Sequence, residues 1–103
     1  MAAENSMVAR INTSELVPEK VEEARKLWVD RIIPEMRKQP GFKHVYVLTN
    51  AQTRKVTTIT IWESKAYSDA WGSSKTLKEL AGHLKSTVRH MPSPDIYDVS
   101  LEG

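Results

Sequence analysis

A handful of side chains carry the types and spacings that could do chemistry. His44 and Tyr46 alternate along one strand-like segment, so an imidazole and a phenol share a face with Phe42 and Leu48. If that face lines a cleft, the pair could deprotonate and orient a phenolic molecule; packing against a second sheet is the plainer reading. Asn12 is a polar residue at the end of an apolar run, where its amide needs partners if buried and could bond a substrate carbonyl or an activated oxygen. A turn residue closing a strand is the alternative. Trp28, Trp62 and Trp71 are many for so short a chain. Each is accounted for by core packing, and together they could form a slot for a flat ligand.

His83 and His90 lie one heptad apart. A helical rise of roughly 10 Å separates them, so they cannot share one metal ion. His83 falls roughly 110° from the centre of its helix's apolar stripe, the position of a flanking, partly exposed residue or, in the sharper reading, of a haem ligand or general base. There is no cysteine, which removes thiolate nucleophiles and Cys-based zinc or iron–sulfur sites. No nucleophile elbow, phosphate loop or dinucleotide fingerprint is present. No resident metal is expected.

The elements that must position these residues follow from periodicity. Residues 7–12 alternate and read as a first strand. Pro18, with Glu19, Glu22 and Glu23 behind it, opens a helix in which Val21, Ala24, Trp28 and Ile32 form an apolar stripe. Pro34 removes a backbone donor and predicts a kink near Asp30, before Pro40-Gly41 turns the chain. Residues 42–49 and 55–63, rich in Val, Ile, Thr and aromatics, form a hairpin around a loop at 50–54. Ser64 caps a short helix that Gly72 interrupts, and Thr76 with Glu79 predicts a capping box for the next. That last helix carries the stripe Leu77, Leu80, Ala81, Leu84 and Val88 and is stopped by Pro92 and Pro94. Residues 95–101 alternate again and close the sheet. The order is βαββαβ, an α+β domain of the ferredoxin-like type with a four-stranded antiparallel sheet.

The hairpin strands are apolar on both faces: Val45 and Val47 oppose His44, Tyr46 and Leu48, and Ile59 and Ile61 oppose Val56 and Trp62. Helices of a chain of 103 residues can cover only one face of such a sheet. The other face is therefore expected to meet a second copy, giving a homodimer. The chain is expected to be one domain over residues 1–103, with residues 1–6 a flexible start and a cytoplasmic location. Fifteen Lys and Arg are interleaved with thirteen Asp and Glu, which argues against a nucleic-acid footprint. No run is long enough to cross a bilayer.

Pro40-Gly41-Phe42 after a helix, a Thr-rich strand from Val56 to Ile61, and Trp62-Glu63-Ser64 opening the next helix resemble the antibiotic biosynthesis monooxygenase family. The resemblance covers residues 7–71 well and the remainder in outline. It implies a dimeric α+β barrel, two sheets face to face, with a cleft between helices and sheet in each subunit. Some members oxidise flat aromatic quinols with no bound cofactor, and a haem-degrading branch cleaves haem. That branch is similar in using an Asn ending the first strand, a Trp after the Trp-Glu-Ser junction and a His further on, which maps onto Asn12, Trp71 and His83. His83 lies a couple of residues too far along, an offset that rotates a side chain by about 200° unless residues 72–75 loop out the surplus. The expectation is a cofactor-independent oxygenase of a small flat aromatic or quinol-type molecule, with Asn12, Trp71 and His83 as catalytic candidates and His44, Tyr46, Trp62 and Trp28 lining the substrate. Haem cleavage and non-catalytic binding of a metabolite are the alternatives.

Overall fold

Alternating residues at the start of the chain form a central strand, and the rest of the fold is laid against it. The computed structural model describes residues 6–91 and 93–103; residues 1–5 of the expected flexible start, and Pro92 as a helix stop, lie outside them. Strand β1, Val8–Glu15, runs three residues beyond the expected end. Thr13, Ser14 and Glu15 remain in the ladder, facing Thr57, Val56 and Lys55. Polar character does not end a strand whose partner continues, so Asn12 sits in mid-strand opposite Thr58.

Strands β2 (Phe42–Thr49) and β3 (Lys55–Trp62) form the expected hairpin. Its loop is held by Asn50, whose Oδ1 accepts from the backbone N–H groups of Gln52 and Thr53 at 3.0 and 3.1 Å. Strand β4 is short, Asp95–Asp98, and pairs with Val8 to Ile11. The sheet order is β2-β3-β1-β4 with every neighbouring pair antiparallel, the α+β arrangement expected from the sequence.

The first helical segment is continuous but not uniform. A 3₁₀ turn at Pro18–Lys20 leads into α1 (Val21–Leu27), a π turn at Trp28–Ile32, and α2 (Ile33–Arg37). In the π turn the Ile33 N–H donates to the Trp28 carbonyl, five residues back. Pro34 has no N–H for the Asp30 carbonyl, so the wider turn lies where the ladder is already broken. Gly41 then turns the chain at φ +80°, and a Cβ there would run into the Tyr67 ring.

Helix α3 (Lys65–Gly72) and helix α4 (Lys75–Leu84) complete the layer. The cap of α4 is Ser74, two residues before the expected Thr76: its Oγ accepts from the Leu77 N–H at 3.1 Å. After a 3₁₀ turn at Lys85–Thr87 the chain returns along β1. Val17 N–H donates to the Thr87 carbonyl, Leu16 bridges Val88, and Arg89 N–H donates to the Glu15 carbonyl.

Two apolar clusters result. Val8, Ile32, Met36, Trp62, Trp71 and Leu80 fill one end; Leu16, Ala24 and Val56 fill the other. Between them the helix-facing floor of β1 and β3 is made of Arg10, Asn12, Ser14, Thr58 and Thr60. These short or polar side chains do not fill the space up to the helices, and a cleft is left there.

Candidate functional site

The cleft between helices and sheet has a volume of about 900 Å³, within the range of small-molecule sites. Its walls are apolar: Trp28, Ile32, Met36, Trp71, Leu80 and Leu84 stand over the polar floor. The π turn contributes directly, because Trp28, Val29 and Ile32 all line the space. Between the Leu16–Val88 bridge and β4, His90, Met91 and Pro94 line the cleft. Arg89 is anchored by its Nε at 2.7 Å from a Glu15 carboxylate oxygen.

Asn12, Trp28 and Trp71 share this cleft. Trp71 is almost fully buried and stacks on Trp62, ring centres 5.9 Å apart and planes 27° from parallel. Trp62 is the foundation of that wall and does not line the space. It is wholly buried, packs edge-on against Phe42, and its indole N–H donates to Thr60 Oγ1 at 3.0 Å. Such a partner is what a buried indole requires.

His83 is not brought to the cleft. It is exposed on the outer side of α4, in a shallow groove with Glu23, Lys26, Leu27, Asp30 and Arg31. His44 and Tyr46 are also elsewhere. They pair across β3 with Ile61 and Ile59 on the sheet face without helices, where their rings lie 5.4 Å apart and are exposed. Asn12, Trp71 and His83 therefore do not converge, and the residues that the haem-degrading branch would assign to haem do not fit one site here. Among the described residues, no three or more His, Asp or Glu side chains are grouped so as to hold a metal ion.

Two residues of the cleft are not among the site candidates read from the sequence, where His90 is weighed only as a metal partner of His83. His90 is the histidine that lines it. Arg10 lies on its floor two residues from Asn12, with Nη1 donating to the Ser68 carbonyl at 3.1 Å and to Ser68 Oγ at 3.3 Å. Burial holds its guanidinium below the ordinary arginine range, while the Asp69 carboxylate acts in the opposite direction. A signal for Arg10 did exist. A cation between Ala9 and Ile11, in step with Asn12, is out of place on a covered sheet face.

The family model for antibiotic biosynthesis monooxygenase matches residues 7–85 of the 103. The chain belongs to the antibiotic biosynthesis monooxygenase family. Several solved structures share its fold. A conserved protein from Methanosarcina mazei Go1 superposes with TM-score 0.78 at 21% identity, over 92% of this chain and 94% of that one. A Nitrosomonas europaea protein attributed to antibiotic biosynthesis monooxygenases gives 0.79 at 11% identity, over 100% of both chains. One from Caulobacter crescentus CB15, attributed likewise, gives 0.79 at 15% over 95% and 93%. No curated protein matches the sequence. At these identities the superpositions show the fold of this monooxygenase-family chain, and a fold shared at this distance does not carry chemistry with it. Among the described residues no helix is long and apolar enough to cross a membrane.

Proposed function

We propose that this member of the monooxygenase family oxidises a small flat hydroxyarene or quinol with O2 in its helix–sheet cleft, without a resident cofactor. The observation that carries the reading is one space in which aromatic walls, Trp28 and Trp71, stand over hydrogen-bonding groups at Asn12, Thr58 and Thr60. A flat ring has apolar surfaces for those walls and polar edges for that floor. Written for a phenol, the reaction takes one O2. One oxygen atom becomes the new quinone carbonyl, and the other leaves as water with the ring hydrogen and the hydroxyl proton. The four electrons that reduce O2 come from the substrate. In this reading His90 and Asn12, both of which line the cleft, take the hydroxyl proton and hold the developing oxyanion respectively.

The same reading takes the protein as a homodimer acting in the cytoplasm. Support for the pairing is the helix-free sheet face. There Tyr46, Leu48 and Tyr97 are about half exposed, at 51, 49 and 54%, around Ile11, Ile59 and Ile61. A two-fold axis would bury such an apolar face against the same face of a second copy. Sedimentation should give twice the mass of 11.7 kDa, and Ile59→Asp should return the single subunit. Oxygen-electrode traces with a panel of naphthols and hydroquinones test the chemistry. Enzyme-dependent O2 uptake with quinone formation is expected; tight binding without uptake would leave a binding protein and sink the catalytic reading.

A further inference from the structure

The cleft has a charge pattern that the oxygenase reading does not use. Arg10, Arg25, Lys85 and Arg89 line it, and among the described residues no Asp or Glu does. Arg89 is neutralised by Glu15. Arg10, Arg25 and Lys85 take part in none of the ion pairs among the described residues, and of these three Arg25 and Lys85 are exposed while Arg10 lies partly buried on the floor beneath the helices. The nearest acid to bear on it, Asp69, has its own carboxylate 2.8 Å from Lys65 Nζ. The guanidinium is seated rather than loose. One nitrogen is tied to buried Ser68, and both terminal nitrogens lie against the last turn of α3, where a Cβ on Gly72 would come within 2.8 and 2.9 Å of them.

A half-buried cation held in place outside any ion pair is poised for an anion, since much of the ordering and desolvation cost falls on the folded protein before the ligand arrives. Guanidinium geometry favours a planar oxyanion, a carboxylate above all. We infer that Arg10 is the specificity-determining residue of the cleft and that the ligand is a planar aromatic carrying a carboxylate, its ring against Trp71 and its charge on Arg10. This rests on the reading of the cleft as the substrate site, and it adds the ligand's charge, which that reading leaves open.

The test uses two probes that differ by one group, naphthol and hydroxynaphthoate, titrated calorimetrically into the protein with O2 excluded, so that binding is read without turnover. Hydroxynaphthoate is expected to bind at least about tenfold more tightly, as one good charge-assisted contact allows. In Arg10→Gln the preference should fall below about threefold while naphthol affinity holds, because only the charged contact has gone. Arg10→Lys should keep part of it. A purely structural Arg10 would change stability and leave the preference intact, and that result would overturn the inference. If Arg10→Gln fails to fold, Gly72→Ala, which crowds the guanidinium while keeping its charge, should erode the same preference. Equal binding of the two probes by the unmodified protein also overturns the inference, even if quinols are oxidised. A clear carboxylate preference without any O2 uptake would uphold it and remove the oxygenase reading instead.

Discussion

Replacing Trp71 shows how far site and core are the same object in this protein. The indole is 3% exposed, forms part of the cluster with Val8, Ile32, Met36, Trp62 and Leu80, and stacks on Trp62 with a ring separation of 5.9 Å. Truncating a buried Trp to Ala costs about 3–5 kcal/mol, of which the aromatic pair accounts for about 0.5–1.5. Because one side of the ring already borders the cleft, the new void joins existing space, and the lower end, about 3 kcal/mol, is expected. Domains of this size lose roughly 4–8 °C of melting temperature per kcal/mol, so Trp71→Ala should melt some 12–24 °C lower. Trp71→Phe retains a ring over Trp62 and should cost about 1 kcal/mol in lost apolar area. Urea denaturation at fixed protein concentration, followed by far-ultraviolet circular dichroism, measures both. An alanine variant within about 0.5 kcal/mol of the parent would refute the assignment of Trp71 to the core. The consequence for function is direct: lost activity in the alanine variant would report folding, and the phenylalanine variant is the one that reports on the cleft.

Other outcomes follow from single contacts. Ser74→Ala removes the hydrogen bond capping α4 and should cost about 1 kcal/mol in urea denaturation, whereas Thr76→Ala, inside the helix, should stay within about 0.5 kcal/mol. Gly41→Ala forces a Cβ into a left-handed turn against Tyr67 and should destabilise by about 1–3 kcal/mol, read as a lowered denaturation midpoint. His90→Gln should slow quinol-dependent O2 uptake by about a hundredfold if it is the base, while His83→Gln, outside the cleft, should leave the rate unchanged. Trp62→Phe and Thr60→Val each orphan one side of a buried hydrogen bond; in the double variant the losses should fall short of additive by about 1 kcal/mol on a thermodynamic cycle.

The βαββαβ order was legible along the chain because each cue is local. Two strands rich in β-branched residues flank a polar five-residue loop, Pro18 opens a helix, Pro34 disturbs it, and Gly41 turns it, and every one of these acts within a few residues of itself. Boundaries that depend on a distant partner were less legible. Residues 13–15 are polar enough to read as a strand's exit, yet the ladder continues because Thr57, Val56 and Lys55 stand opposite. Ser74 displaces Thr76 as the cap because α4 begins right after the last turn of α3, with Ser74 Oγ also donating to the Trp71 carbonyl at 2.8 Å.

What the sequence by itself determined is therefore the set of elements, their order and the two-sided apolar character of the hairpin, since periodicity and turn chemistry are properties of neighbouring residues. Only the tertiary structure decided which side of the sheet the helices cover. Strand alternation sorts residues into two faces without naming them, and the packing of the helices on one side put His44 and Tyr46 opposite the cleft and Arg10 and Asn12 within it. It also decided that His90, carried back along β1 by the Leu16–Val88 bridge, reaches the cleft while His83 does not. A functional site is a coincidence of residues far apart in the chain, and that coincidence exists only once the sheet has closed.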